Sequence, residues 1–279
     1  MPEFPEVYTI TSDLSKILKN AIIKSVTPID EYKLYPSNDF AIKALEGAKI
    51  LGVTQVAKNI VIQTDKGFLT IHLAMTGQIL VKKSAKPMKW ERVTFEIETP
   101  DKRFFLGFRD MRMFGKVKFL NKEEFDELKT KYGPNPLIDE LPLEKFIQIL
   151  KSKRTNIKNL LMEQGRISGL GNIYATEALF LSGIQPENPS KKISKEQAEL
   201  LLESIKKVLK EGINQRGSTL DDEMFVDVFG KKGKYQDYLK IYNKKSCPNC
   251  NTKVETVKVS GRNSYFCPHC QPRTPNKDK

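Results

Sequence analysis

The chain reads as an α+β protein of more than one domain, with a β-rich N-terminal half, a helical middle and a small cysteine-bound segment near its end. Three observations carry that reading. Between residues 49 and 120, short apolar runs recur between Gly, Asp, Lys and Pro, the pattern of an antiparallel sandwich or barrel. After about residue 122 the apolar spacing turns helical. All four cysteines fall in the last 33 residues. A chain of 279 residues has room for one large or two modest domains.

Taken in order, Val7, Ile10, Leu14, Ile17 and Leu18 follow a helical period, so a helix is expected almost at once. Strands are expected at Ile60–Ile62, Phe68–Leu73, Val93–Ile97, Phe104–Phe108 and Lys116–Leu120. Tyr132-Gly-Pro-Asn-Pro136 marks a boundary, since proline and glycine end regular structure. Helices are expected near 143–151, 156–164, 172–182 and 194–212, with 213–240 as a charged, Gly-containing connection. The expected division is 1–130, 131–240, 241–271 and a basic, disordered tail 272–279. No internal repeat is present.

The cysteines stand as Cys247-Pro-Asn-Cys250 and Cys267-Pro-His-Cys270, a C-x2-C-x16-C-x2-C spacing. Two such pairs fill the four positions of a tetrahedral zinc and leave none open, so the metal is structural. Disulfides are the alternative, disfavoured where thiols stay reduced. His269 lies inside the second pair and reads as a bystander. Between the pairs, Lys253–Val259 and Ser264–Phe266 flank Ser260-Gly261-Arg262-Asn263, a β-hairpin with a basic tip bearing Arg262.

Charge narrows the partner. Lys plus Arg number 47 against 34 Asp plus Glu, a formal net charge of +13. Such an excess fits a polyanion, or a source organism that favours lysine. No apolar run approaches the roughly 20 residues of a membrane span, which turns the reading toward nucleic acid. The first twenty residues lack a basic start followed by an apolar run, so a cytoplasmic location is expected.

Two segments carry chemistry. Removal of Met1 would make Pro2 a free secondary amine, able to attack an electrophilic carbon and form an iminium. Glu3 beside it could move a proton. A Met-Pro start is commonplace in isolation. Ser168-Gly-Leu-Gly-Asn172 joins two expected helices; amides at the second helix's N-terminus could hold a phosphate, or Asn172 could simply cap an ordinary turn.

Met1-Pro-Glu-Phe-Pro-Glu-Val7, Gly169-Leu-Gly-Asn-Ile-Tyr-Ala175 and the four-cysteine ribbon occur in one chain, and this ordered set resembles the formamidopyrimidine-DNA glycosylase family to about Gln271. The resemblance implies an α+β multidomain fold: N-terminal helix plus antiparallel β-sandwich, helix–two turns–helix domain and C-terminal β-hairpin zinc finger, with DNA across the cleft. It implies damaged double-stranded DNA as partner, one structural zinc ion, no catalytic metal, no membrane, a monomer, and a nucleoid-associated cytoplasmic location in a bacterium. The implied activity is a bifunctional glycosylase/AP lyase of base excision repair for 8-oxoguanine and formamidopyrimidines. The damaged nucleotide must leave the stack for its C1′ to be reached.

Residue by residue, the resemblance makes Pro2 the nucleophile, Glu3 the proton donor, Lys58 a phosphate ligand assisting elimination, and Arg262 the finger arginine on the flanking phosphates. Glu6 and Glu177 match positions that line the damaged-base pocket and order the N-terminus. Lys153, Lys158 and Asn172 match phosphate ligands, and His72 a residue near the backbone. Met75, Arg112 and Phe114 match the side chains that fill the void, with Arg112 facing the orphaned base.

The sequence also departs from the family. Asp110-Met-Arg-Met-Phe-Gly115 lacks the usual proline and one arginine, Trp90 stands near the usual DNA-contacting histidine, and the loop after Gly217-Ser-Thr-Leu220, which by the resemblance caps the everted base, is altered. Phe4 fits the purine branch better than the related endonuclease VIII branch, where glycine is usual. A pyrimidine-specific variant and a non-catalytic zinc-ribbon DNA binder are the alternatives. The latter would need neither Pro2, Glu3 nor Lys58.

Overall fold

The computed structural model describes residues 2–221 and 223–273. Most of the tail expected to be disordered therefore lies outside the described residues, as does Met1. Two compact units are present, Met1–Thr130 with Gly212–Gln236, and Lys131–Glu211 with Asp237–Lys279.

In the first unit, helix α1 (Phe4–Ile17) begins at the N-cap Glu3 with proline in its first turn, where the missing N–H costs nothing. Glu6 Oε2 accepts the Glu3 amide at 2.8 Å, one arm of a capping box. Val7, Ile10 and Leu14 share one face and are buried. Eight strands follow: β1 (Ile22–Pro28), β2 (Ile50–Val56), β3 (Asn59–Thr64), β4 (Gly67–His72), β5 (Gly77–Lys82), β6 (Glu91–Glu98), β7 (Arg103–Asp110) and β8 (Lys116–Leu120). Helix α2 (Asn38–Leu45) falls between β1 and β2.

The strands form two antiparallel sheets, ordered β1-β6-β7-β5 and β2-β3-β4-β8. Both sheets are open at their edges, which decides for a sandwich over a barrel. Val93, Phe95 and Ile97 of β6 and Leu106 and Phe108 of β7 share one core with Ile60 and Ile62 of β3 and Leu69 and Ile71 of β4. Each fully buried apolar side chain of this size stabilises the fold by roughly 1.5–3 kcal/mol. Helix α1 adds Val7, Ile10 and Leu14 to the same core and packs on β2 and β3.

Strand β1 lay outside the expected strands for a physical reason. Its register against β6 shifts between Ile23 and Ser25, and a bulge of that kind breaks the two-residue alternation that betrays a strand. The stretch 213–240 also differs from the expected connection. Phe225 and Val228 enter the sandwich core, and Val81 N–H donates to Val228 O at 2.8 Å, so this segment up to Gln236 packs with the first unit. Helix α3 (Lys122–Thr130) ends the first pass of the chain through this unit.

The second unit contains α4 (Leu143–Lys151), α5 (Ile157–Met162), α6 (Asn172–Leu181) and most of α7 (Lys195–Asn214), then the hairpin β9 (Glu255–Val259) and β10 (Arg262–Phe266). Residues Ile173–Phe180 of α6 are all buried, making it the central helix. Its end packs on Ile241, Cys247, Val254 and Cys267 through Phe180. The hairpin turns at Ser260 and Gly261, with φ of 47° and 75°, the left-handed pair that tight hairpins require. Arg262 is thus the first residue of β10, paired with Val259, and is exposed.

Candidate functional site

In the first unit the site begins at the head of α1. Pro2 is buried, and Glu3 and Glu6 are each 2% exposed. Glu6 holds two segments at once: Oε2 takes the Glu3 amide, and Oε1 takes the Ser218 amide at 2.7 Å. Gly217, at φ +83°, lies so close that an added Cβ would meet Glu6 Cγ at 2.8 Å and Phe225 at 2.9 Å. Only glycine allows both that backbone turn and that approach.

Lys58 lies in the β2–β3 turn and is 7% exposed. Its neighbour Asn59 pairs with His72 across β3 and β4, so Lys58 and His72 come together. Burial chiefly, then Lys58 and Lys118, hold the His72 imidazole below its usual range. A neutral ring can still donate one hydrogen bond.

Met75, Arg112 and Phe114 converge on the surface. Met75 is 43% and Phe114 57% exposed, unusual placements for large apolar side chains in a unit with a well-filled core. Arg112 Nη1 lies 3.4 Å from Met75 Sδ, and the guanidinium stands 5.8 Å from the Phe114 ring centroid. Asp110, fully buried, orders the loop beneath them. Its carboxylate accepts from the Thr76 hydroxyl, from Gly115 N–H at 2.7 Å and from Arg112 N–H at 3.3 Å. These bonds fix the loop although the usual proline is missing. Asp110 was not among the expected site residues; an aspartate two residues before Arg112 is the turn-forming signal that could have found it.

Beside this trio a cavity of about 210 Å³ is lined by Thr76, Gln78, Trp90, Met111, Glu223 and Met224, among others. Trp90 carries Lys89 Nζ 4.4 Å from its ring centroid, with Arg109 at 6.0 Å. Gln78 donates to Met224 O at 3.2 Å, which ties the 217–233 loop to β5.

In the second unit, Asn172 opens α6 and donates from Nδ2 to Asn263 O at 3.2 Å. Ser260 donates to Asn159 Oδ1 at 2.6 Å. These two bonds seat the hairpin against α5 and the N-terminus of α6, placing Arg262 next to a residue bonded to Asn172. Asn172 Oδ1 is buried without a hydrogen-bond partner. Lys153 is exposed and pairs with Glu163 at 3.1 Å.

Two further expected residues, Lys158 and Glu177, lie inside the second unit. Lys158 is fully buried, its ammonium 2.7 Å from the Thr176 hydroxyl between α5 and α6. Glu177 has both carboxylate oxygens engaged by the Lys240, Ile241 and Tyr242 amides at 2.8, 3.0 and 2.8 Å. It anchors the chain entering the finger. Burial pushes its carboxyl above the usual range, with the three amides opposing.

The four cysteine sulfurs lie within 4.8 Å of one another. Sγ separations of 3.8 Å for Cys247–Cys270 and 3.5 Å for Cys250–Cys267 and Cys250–Cys270 are close to the edges of a tetrahedron built on Zn–S bonds of about 2.3 Å. The donor set fits one structural zinc ion, with His269 Nδ1 4.0 Å from Cys270 Sγ and outside the cluster.

Residues 1–117 match the model of the formamidopyrimidine-DNA glycosylase N-terminal domain, 132–223 that of its H2TH domain, and 244–273 that of the zinc finger found in FPG and IleRS. A formamidopyrimidine-DNA glycosylase of Legionella pneumophila (strain Lens) is 37% identical over 276 residues, covering 98% of this chain and 99% of its own. The Lactococcus lactis FPG (MutM) bound to FAPY-dG-containing DNA is 28% identical, with a TM-score of 0.87 over 97% of this chain and 100% of that one. The wild-type Lactococcus lactis enzyme bound to an oxidised-pyrimidine-containing DNA is 29% identical, with a TM-score of 0.88 over 98% and 100%. This order of three domains is that of a DNA-repair glycosylase. The chain belongs to the formamidopyrimidine-DNA glycosylase family.

Proposed function

We propose that the chain excises oxidised purines from duplex DNA through a Pro2 Schiff base and then cleaves the strand by β,δ-elimination. The observation that carries the reading is the fixed N-terminus: Pro2 and Glu3 are buried at the head of α1, and Glu6 pins that head to Ser218. A nucleophile on a frayed end would lose the orientation that makes attack effectively unimolecular.

In this scheme the Pro2 nitrogen, freed by loss of Met1, bonds to C1′ as the glycosidic bond breaks and the base leaves with a proton. Glu3 donates the proton that opens the sugar, and the nitrogen lone pair completes an iminium. The iminium acidifies the C2′ hydrogen; its loss expels the 3′ phosphate, and a second elimination expels the 5′ phosphate. Lys58 and His72 lie together, suited to a phosphate beside the reacting sugar. Arg262 and Asn172 are assigned the flanking phosphates. Lys153, bridged to Glu163, is a more peripheral ligand. Met75, Arg112 and Phe114 fill the vacated stack, with Arg112 donating to the orphaned cytosine. Glu6 orders the damaged-base loop. The bacterial relatives support action on the nucleoid in the cytoplasm. Among the described residues no helix is long and apolar enough to cross a membrane.

Borohydride trapping on a duplex with 8-oxoguanine opposite cytosine, beside one with an oxidised pyrimidine, tests this. A covalent adduct on the first, mapped to Pro2 and absent in Pro2→Gly while duplex affinity persists, is expected. Excision by Pro2→Gly at the wild-type rate would remove the proposed nucleophile. An adduct on the pyrimidine duplex alone would move the chain to pyrimidine lesions.

A further inference from the structure

The 217–233 loop is bound to α1 at two points. One is the Glu6–Ser218 bond already described; the other is a three-residue ion bridge centred on Arg216. Arg216 Nη2 lies 2.5 Å from Asp13 Oδ2 and 2.6 Å from Asp227 Oδ2, and Nη1 lies 3.3 Å from Asp13 Oδ1. Asp13 is on α1, three turns from Pro2, and Asp227 is inside the loop. Their side chains are 5% and 2% exposed. Two buried carboxylates facing one another repel unless a cation joins them. The planar guanidinium can serve both at once, whereas an ammonium offers a single charged point.

The bridge has a consequence at the cavity. Asp227 also accepts the Phe229 and Lys231 amides, both at 2.9 Å, so its carboxylate shapes the turn next to Val228 in the core. Arg216 adopts φ +60°, a left-handed conformation that costs a side-chain-bearing residue energy and persists only where its surroundings impose it. Glu223 and Met224 lie between Arg216 and Asp227 in sequence, and they wall the 210 Å³ cavity beside Met75 and Arg112. The bridge therefore clamps both ends of the wall segment to the helix that begins with the nucleophile.

We infer that Arg216 is a positioning residue for base excision: by joining Asp13 to Asp227 it fixes the loop wall against which the extruded base is held relative to Pro2. This rests on the glycosylase reading above. Helix α1 is held separately by Val7, Ile10 and Leu14 in the sandwich core, so the bridge governs the base wall more than the nucleophile itself. Cleavage at a preformed abasic site, which has no base to hold, should be indifferent to it.

The test compares, in the full zinc-loaded chain, single-turnover release of the damaged base with strand cleavage at a preformed abasic site. Arg216→Lys keeps the charge but loses the fork; Asp13→Asn breaks the same bridge from the other side. Both variants are expected to slow base release by roughly tenfold to a hundredfold while abasic-site cleavage stays within about twofold, as for a misplaced substrate group. Equal loss of both activities would mean a general structural role and overturn the inference. No loss of either in both variants would overturn it as well. Wild-type protein inactive on both duplexes would overturn the glycosylase reading, and this inference with it.

Discussion

At the scale of single residues, the site depends on buried carboxylates that organise backbone, and Asp110 is the clearest. Replacing it by alanine leaves the Thr76 hydroxyl and the Gly115 amide without their acceptor, and the Arg112 amide with the Thr76 hydroxyl alone. Losing charged hydrogen bonds at a fully buried position costs about 2–4 kcal/mol. Denaturant unfolding of Asp110→Ala should register that loss, with a slower excision opposite cytosine because Arg112 is no longer fixed. Asp110→Asn keeps one acceptor oxygen and should recover part of both. Stability unchanged in the alanine variant would dismiss this role.

His72 supplies a pH signature. Its folded imidazole titrates below the usual range because of burial and the nearby Lys58 and Lys118, while the unfolded chain titrates near about 6.5. As the pH falls through that unfolded value, the unfolded state takes up the proton first, so stability declines on acidification. The decline continues until the folded imidazole also protonates. Urea unfolding at neutral and mildly acidic pH should therefore show a smaller pH-dependent loss in His72→Gln than in wild type. An identical pH dependence in the two proteins would show that other groups govern it.

At the scale of elements, the finger hairpin is the part most dependent on something other than its own packing. A two-stranded hairpin is marginal in water, and β9 and β10 are five residues each. The four cysteines fix the chain on either side of them. Zinc binding is therefore folding free energy for this segment. Stripping zinc with a chelator should disorder β9 and β10, release Arg262 from its place near Asn172 and weaken duplex binding; restored zinc should recover it. Normal lesion-duplex affinity in metal-free protein would exclude the finger as a DNA contact. The Asp110–Gly115 loop needs no metal, because the Asp110 carboxylate accepts from the Arg112 and Gly115 amides within it.

At the scale of the whole molecule, local chemistry made the zinc cluster, α1 and helices α4 to α7 legible. Each announces itself within a few residues, by cysteine spacing or by a 3.6-residue period. The Pro2–Glu3 pair and the Met75, Arg112 and Phe114 set were proposed only through motifs in order, because an exposed methionine and a core methionine look alike in sequence. What the chain alone determined was the family, the structural zinc site and the helices whose period is unbroken, α1 and α4 to α7. Tertiary structure decided that the sheets stay open as a sandwich, that residues 212–236 return to the first unit, and that Lys158 and Glu177 are buried beside Thr176 and the Lys240–Tyr242 amides. It also decided that Arg216 joins Asp13 to Asp227. The reason is one of range: periodicity and spacing report interactions between near neighbours, whereas a carboxylate's partner 203 positions away is chosen by how the folded backbone brings buried charges together.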